Sequence, residues 1–98
     1  MQVDKGRLIQ ETVARLSKLV EGEGLLLQPY KKDRSVYVMQ RGNTYFVVER
    51  GFARKEFTVD KKKIKKVLKT LCRKEFPRSN RVWLNYMSQK DTAEFNSF

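Results

Sequence analysis

Residues 25–59 read LLLQPYKKDRSVYVMQRGNTYFVVERGFARKEFTV, and this stretch decides the fold. It contains runs rich in β-branched and aromatic residues at 25–30, 35–40, 44–50 and 52–59. No connection between these runs exceeds four residues, and connections this short join antiparallel neighbours. The stretch therefore predicts a four-stranded antiparallel meander, unless the last two runs form one long strand that bends at Gly51.

Helical patterns flank this meander on both sides. Before it, apolar residues recur at helical spacing from Leu8 to Val20, and Asp4 is placed to cap the helix. After it, Asp60 is placed to cap a second helix over residues 61–74, which Pro77 stops. The order α-β-β-β-β-α predicts the α+β class, with an N-terminal helix, the meander and a basic second helix.

The end of the chain divides into two parts. Arg81–Met87 is too apolar to be a free tail, so we interpret it as a short added strand or as an arm docked on the body. Residues 88–98 are expected to fray. Ninety-eight residues are enough for one domain, which we predict to span residues 1–87.

The second helix carries most of the excess positive charge. Its residues 61–74 read KKKIKKVLKTLCRK, with eight basic residues and no acid, whereas the other 14 basic side chains exceed the 11 acidic ones by only three. At 100° per residue, one face of this helix is apolar and comprises Ile64, Val67, Leu68 and Leu71. The opposite face is a cationic stripe formed by Lys62, Lys65, Lys66, Lys69 and Arg73.

This cationic stripe is unfavourable in isolation. Lys61, Lys62 and Lys63 fall in the first turn, where the helix dipole favours anions and each misplaced charge costs about 0.3–1 kcal/mol. Like charges four residues apart, such as Lys62 and Lys66, cost about 0.2–0.5 kcal/mol per pair. A polyanion laid along the stripe turns these penalties into attraction. The pattern therefore favours nucleic acid over a merely solvated face, an acidic protein or a membrane surface.

The predicted nucleic-acid contacts are cations of this helix and of the first hairpin turn. They are Lys61, Lys62, Lys65, Lys66, Lys69 and Arg73 on the helix, with Lys31, Lys32 and Arg34 in the turn. In a meander, the turns after the first and third strands lie at the same end of the sheet, so Arg50 is expected beside the turn cations. Scattered surface cations with no common role are the alternative for this edge.

The strands are apolar on both faces, and this bears on assembly. In the second strand Val36 and Val38 point one way, and Tyr37 and Met39 point the other. Two helices cover one face, so the other needs the C-terminal arm with Trp83, a second copy of the chain, or stacked bases. We expect a homodimer. The tyrosines considered for base stacking are Tyr30, Tyr37 and Tyr45.

Residues suited to catalysis are scarce. The chain has no histidine, which is the commonest general acid or base and a frequent zinc ligand. Cys72 lies at the edge of the apolar helix face, where packing is its expected role. The 11 acids are scattered along the sequence, so we predict no enzyme, metal or cofactor. No apolar run is long enough to span a membrane and no signal peptide is visible, so we expect a soluble cytoplasmic protein.

At the level of topology alone, the order of helix, antiparallel strands and helix resembles the Alu-domain proteins of the signal recognition particle. This resemblance covers residues 4–76 and implies a small, basic, dimer-forming RNA binder. Over residues 25–76, the meander followed by a helix is similar to Pur-alpha and to the Whirly and positive-cofactor single-strand binders. Neither resemblance rests on matched residues, so no functional position is carried over.

These observations predict a small, non-enzymatic protein that binds DNA or RNA through phosphate contacts of residues 61–74. Lysine is a point charge, whereas base-edge readout uses Arg, Asn and Gln, so recognition of shape or of single strands is favoured over sequence readout. The alternative is a homodimeric adaptor that docks on an acidic protein, with the basic helix steering the encounter.

Overall fold

The computed structural model describes the backbone of residues 1–95 and the side chains of residues 1–92. Its strands are β1 (Gln2–Asp4), β2 (Gly24–Pro29), β3 (Ser35–Arg41), β4 (Thr44–Arg50), β5 (Arg54–Asp60) and β6 (Arg81–Met87). Its helices are α1 (Lys5–Leu16), α2 (Ile64–Glu75) and α3 (Gln89–Phe95), and a 3₁₀ turn (Lys61–Lys63) leads into α2. The α+β class predicted from the sequence is confirmed.

The strands form one antiparallel sheet in the order β1-β6-β2-β3-β4-β5. The meander is confirmed as β2 to β5. Arg50 pairs with Arg54, so β4 and β5 are separate strands and the alternative of one strand bent at Gly51 is wrong. The predicted strand number is too low, because β1 and β6 extend the sheet beyond β2. A three-residue strand such as β1 is too short to show alternation in a sequence.

The C-terminal segment Arg81–Met87 is a full strand of this sheet and not an arm docked on a face. It pairs with β2 on one side and with β1 on the other. Val82 and Leu84 point into the main core, where they are 0% and 3% exposed. The segment therefore widens the sheet and covers neither face of it.

Both long helices lie on one face of the sheet. α1 packs against β1, β6 and β2, and α2 packs against β3 and β5. The core between them contains Leu8 and Leu16 from α1, Leu68 from α2, and the inward side chains of the strands. Burial of these apolar side chains is the main term that stabilises the domain.

The opposite face holds a second, smaller apolar cluster around Tyr37, Met39 and Val48. The predicted division of β3 between two faces is therefore confirmed, and Val36 and Val38 lie on the helix side. Two things shield this face. α3 lies against β6, and the Arg41 guanidinium lies 4.4 Å above the ring centre of Phe46. The homodimer stays a prediction, and sedimentation of the protein alone will measure it.

Helix α3 falls within the segment for which the sequence predicts a frayed tail. The Thr92 hydroxyl donates a hydrogen bond to the Gly22 carbonyl at 2.6 Å, and Gln89 Nε2 donates to the Glu21 carbonyl at 2.7 Å. These contacts tie α3 to the loop after α1. Residues 96–98, the rest of the predicted tail, lie outside the described residues.

The helix ends differ in detail from the prediction. Residues 61–63 form the 3₁₀ turn, so α2 begins at Ile64, and the Asp60 side chain makes no capping hydrogen bond. α2 ends at Glu75, two residues before Pro77. α1 ends at Leu16, short of the predicted end near Val20. No helix among residues 1–95 is both long and apolar enough to cross a membrane.

Candidate nucleic-acid interface

Helix α2 has its two faces where the sequence places them. Ile64, Leu68 and Leu71 are 4%, 0% and 6% exposed and belong to the main core. The members of the cationic stripe, Lys62, Lys65, Lys66, Lys69 and Arg73, are all exposed. None of them makes an ion pair or a hydrogen bond through its side chain with any described residue. The stripe is therefore a row of charges without counterions among the side chains of residues 1–92.

The basic residues at the two ends of the segment are engaged. The Lys61 ammonium lies 5.4 Å above the ring centre of Tyr45, although the side chain stays exposed. The Lys74 ammonium lies 3.0 Å from Glu49 Oε2. Lys74 thus points toward the sheet, while Lys61 remains at the start of the stripe.

The position of Lys61, Lys62 and Lys63 keeps the electrostatic cost that the sequence implies. Neither the 3₁₀ turn nor the first turn of α2 contains an acid. The unpaired N–H groups at a helix start carry partial positive charge, which three ammonium groups reinforce. Asp60 directly precedes this turn, but its side chain makes no capping hydrogen bond, so a bound anion would be favoured here.

The cations Lys32 and Arg34 of the first hairpin turn lie toward different faces of the sheet. The Lys32 backbone has a φ of 56°, and its N–H donates to the Pro29 carbonyl at 2.9 Å. Its ammonium lies 4.7 Å above the ring of Trp83, and strand alternation puts Trp83 on the face away from the helices. Lys32 therefore lies toward the face opposite the helices, apart from the cationic stripe.

Arg34 belongs to the helix side of the molecule. Its Nη1 donates to the Glu75 carbonyl at 3.1 Å, and its guanidinium stacks 3.9 Å from the ring centre of Phe52. A cation at this place satisfies a free carbonyl at the C-terminal end of α2 and complements the helix dipole. Arg34 is half-buried, so its guanidinium is less accessible to a ligand than the exposed cations are.

A cavity of about 890 Å³ lies at the C-terminal end of α2. It is lined by two strongly exposed aromatic side chains, Tyr30 and Phe52, which are 74% and 65% exposed. Its cations are Lys31, Arg34, Arg78 and Arg81, and its acids are Asp33 and Glu75. We call this the Tyr30–Phe52 cavity. Sequence reasoning missed Phe52 as a site residue, because the cavity joins segments that are far apart in the chain.

The three tyrosines considered for base stacking behave differently. Tyr37 is 0% exposed and Tyr45 is 5% exposed, so neither ring offers a face to a base. The alternative of base stacking on these two residues is therefore excluded, because α3 and Lys61 lie over them or beside them. Tyr30 has most of its side chain exposed and opens onto the cavity.

Two acids that look scattered in the sequence meet beneath this cavity. Glu49 and Glu75 are each 1% exposed, and their carboxyl groups share a hydrogen bond, which requires one proton between them. Glu75 Oε1 also accepts the Phe52 N–H at 3.1 Å. The backbone at Gly51 passes so close that a Cβ there would clash with the same oxygen. The pair therefore fixes the end of α2 to the β4–β5 turn.

The opposite pKa shifts of the two carboxyl groups favour the proton on Glu75. Burial and the hydrogen bond with Glu49 raise the pKa of Glu75. Burial opposes ionisation of Glu49 as well, but hydrogen bonds from Glu75 and Lys74 outweigh it and lower the pKa of Glu49. A neutral Glu75 that donates to an ionised Glu49 leaves the Lys74 ion pair intact.

The substitution Glu75→Gln tests this proton. Glutamine keeps a donor toward Glu49 and an acceptor toward the Phe52 N–H, but it cannot ionise. A raised folded-state pKa means that wild-type stability falls as pH rises from the unfolded value of about 4.3 through the folded value. We expect the free energy of unfolding of Glu75→Gln to exceed that of the wild type by a margin that grows with pH. The margin approaches about 1.4 kcal/mol for each unit by which the pKa is raised.

Urea unfolding at about pH 5 and about pH 9 measures this margin. The exposed Glu56→Gln on β5 is the matched control and should show no such growth. A Glu75→Gln variant that is less stable than the wild type at both pH values would show that Glu75 is ionised in the folded protein.

The lone thiol has a structural role. Cys72 is 7% exposed within the main core, and burial raises its pKa to about 12. The thiolate, which is the nucleophilic form, is therefore scarcely populated at neutral pH.

Comparison with known proteins gives no functional information for this chain. No protein-family model, curated protein or solved structure matches the chain. The topological resemblances noted from the sequence therefore gain no support, and function has to be argued from the surface itself.

Proposed function

We propose that this protein is a small, non-enzymatic nucleic-acid-binding protein that contacts phosphates through the cationic stripe and the 3₁₀ turn before it. The observation that carries the proposal is the row of exposed cations on α2, none of which is paired with a described residue. Surface charges selected for stability alone are interleaved with acids, and α2 has none before Glu75.

The burial of α2 favours nucleic acid over a membrane surface. A helix that binds membranes inserts its apolar face between lipids. In α2 that face is occupied by the core, because Leu68 is 0% exposed and Ile64 is 4% exposed. Only the charged face is free for a partner, which suits a phosphate backbone. We propose a cytoplasmic location for this activity.

The side chains on the stripe favour backbone contacts over base readout. Four of its five cations are lysines, which bind phosphates as point charges and lack the bidentate geometry that reads base edges. We therefore propose recognition of strand form and not of sequence. Tyr30 and Phe52, the exposed aromatic side chains of the cavity at the C-terminal end of α2, favour single strands, because the bases of a single strand are free to stack.

A binding titration tests this proposal. Fluorescence anisotropy with labelled single- and double-stranded DNA and RNA of equal length and mixed sequence, at roughly 50 mM salt, compares the four forms. We expect the tightest binding to a single-stranded form and little change when its sequence is permuted. Equal failure of all four forms to bind would refute the proposal, and an acidic protein partner would then become the candidate.

A further inference from the structure

The Tyr30–Phe52 cavity adds an apolar, aromatic element to a surface that is otherwise a row of charges. Phosphate binding alone needs no aromatic side chains, yet Tyr30 and Phe52 are two of the most exposed large hydrophobic residues among the described part of the chain. Exposing them costs solvation free energy, and packing gives no reason for it. A ligand with a flat, apolar face is the kind of group that these rings recognise.

The rim of the cavity is charged, in contrast to its aromatic walls. Lys31, Arg78 and Arg81 line it and are exposed. Arg81 has one weak, exposed ion pair, at 3.6 Å to Asp4, while Lys31 and Arg78 have none with described residues. Of the two acids that line the cavity, Glu75 is 1% exposed, so Asp33 is the exposed negative charge there. The rim therefore has a net positive charge.

One wall of the cavity is already ordered for stacking. Arg34 is held by its hydrogen bond to the Glu75 carbonyl, and its guanidinium carbon lies 3.9 Å from the centre of the Phe52 ring. The Phe52 N–H is bound by the buried Glu75 carboxyl, which fixes the backbone of the turn that carries the ring. A ring held in this way loses little conformational freedom when a ligand stacks on it.

The position of the cavity relative to α2 supports the same kind of ligand. It begins at Glu75, the last residue of α2, and continues through Pro77 and Arg78. A strand whose phosphates follow the cationic stripe to Arg73 reaches the same end of α2 at which the cavity lies. The Tyr30–Phe52 cavity, with its aromatic walls and cationic rim, lies at the end of the helix that carries the cationic stripe. It therefore fits a nucleotide of that strand.

We propose that the Tyr30–Phe52 cavity binds a nucleobase of a single-stranded nucleic acid, with the adjacent phosphates held by Lys31 and Arg78. This rests on the proposed function and extends it from phosphate contacts to base stacking. Stacking tolerates any base because every base has a π face, so the cavity gives a preference for single strands without sequence specificity. Double-stranded nucleic acid, whose bases are stacked within the helix, cannot offer this contact.

The test compares oligothymidylate with an oligomer of the same length whose sugars carry no bases. The two probes have the same phosphates, so their difference reports the bases alone. We expect the wild type to bind the thymidylate about 5- to 150-fold more tightly, which corresponds to one stacked base. The double variant Tyr30→Ala, Phe52→Ala should lose most of this difference and keep its affinity for the abasic oligomer.

Two controls keep the outcomes distinct. Tyr86→Ala removes a comparably exposed aromatic ring from β6, outside the cavity, and should preserve the difference between probes. Circular dichroism and thermal unfolding verify that each variant is folded, and Tyr30→Ala alone serves if the double variant is not. Equal affinity of the wild type for both probes overturns this inference and leaves the proposed function standing. Failure to bind either probe overturns both.

Discussion

Replacing Lys62, Lys66 and Lys69 with glutamine is expected to weaken binding of single-stranded nucleic acid by about 100-fold at roughly 0.1 M salt. The estimate follows from counterion release, in which each lost phosphate contact lowers the salt slope by about 0.7 on a single strand. The fold should survive, because all three side chains are exposed and unpaired with described residues. Relief of like-charge repulsion should leave stability unchanged or slightly increased.

Removal of the same number of charges elsewhere provides the matched control. Lys18, Lys55 and Lys90 lie after α1, on β5 and on α3, and each is exposed. Their triple replacement with glutamine lowers the net charge equally but leaves the cationic stripe intact. We expect this variant to bind within a few-fold of the wild type. Equal weakening by the two triple variants would mean that net charge, and not the stripe, determines binding.

The largest expected loss of stability comes from Leu68→Ala. Leu68 is 0% exposed at the centre of the buried face of α2, so truncation removes buried methyl groups and leaves a cavity. We expect a decrease of about 2–5 kcal/mol in the free energy of unfolding, measured by urea denaturation. For a domain of this size, such a loss is a large part of the total stability.

Thr70→Ala is the control on the same helix. Thr70 is exposed, and its hydroxyl only bonds back to the Lys66 carbonyl, so its replacement should change stability by about 0.5 kcal/mol or less. If Leu68→Ala proved as mild as Thr70→Ala, the assignment of the two faces of α2 would be wrong.

Local patterns predict the elements whose signals repeat along the chain. The meander shows clear alternation and short turns, and β6 shows a compact apolar run, so both appear at their predicted places.

Helix α3 has a capping motif at its start, although the polar composition of the segment indicates a frayed tail. The Ser88 hydroxyl accepts the Asp91 N–H at 3.2 Å, and the Asp91 carboxylate accepts the Ser88 N–H at 3.0 Å. This is a capping box, with Asp91 in the place of the usual Glu, and it marks a helix start in a segment expected to fray.

The paired carboxyl groups also leave traces in the sequence. Glu75 follows Leu68 by seven residues and Leu71 by four, so it continues the apolar face of α2. Glu49 lies two residues after Val47 in β4, so it points to the same inward side of the strand. An acid at an inward position on each of two neighbouring elements indicates a buried partner. Only the fold shows that the partner is the other acid.

The Tyr30–Phe52 cavity could not be predicted in the same way. Its walls come from the first hairpin turn, the β4–β5 turn and the segment after α2, together with Gln2 of β1. No periodicity relates these segments, because their approach depends on β6 lying between β1 and β2. The sequence places Arg34 near other basic residues but gives no sign that it stacks on Phe52.

The salt dependence of binding to a single strand tests the central claim most directly. If the cationic stripe and its neighbouring cations neutralise six to eight phosphates, log affinity should fall with log salt at a slope of about −4 to −6. The variant Lys62→Gln, Lys66→Gln, Lys69→Gln should reduce the magnitude of this slope by about 2. A slope near zero, or one that the triple variant leaves unchanged, would contradict phosphate binding by α2.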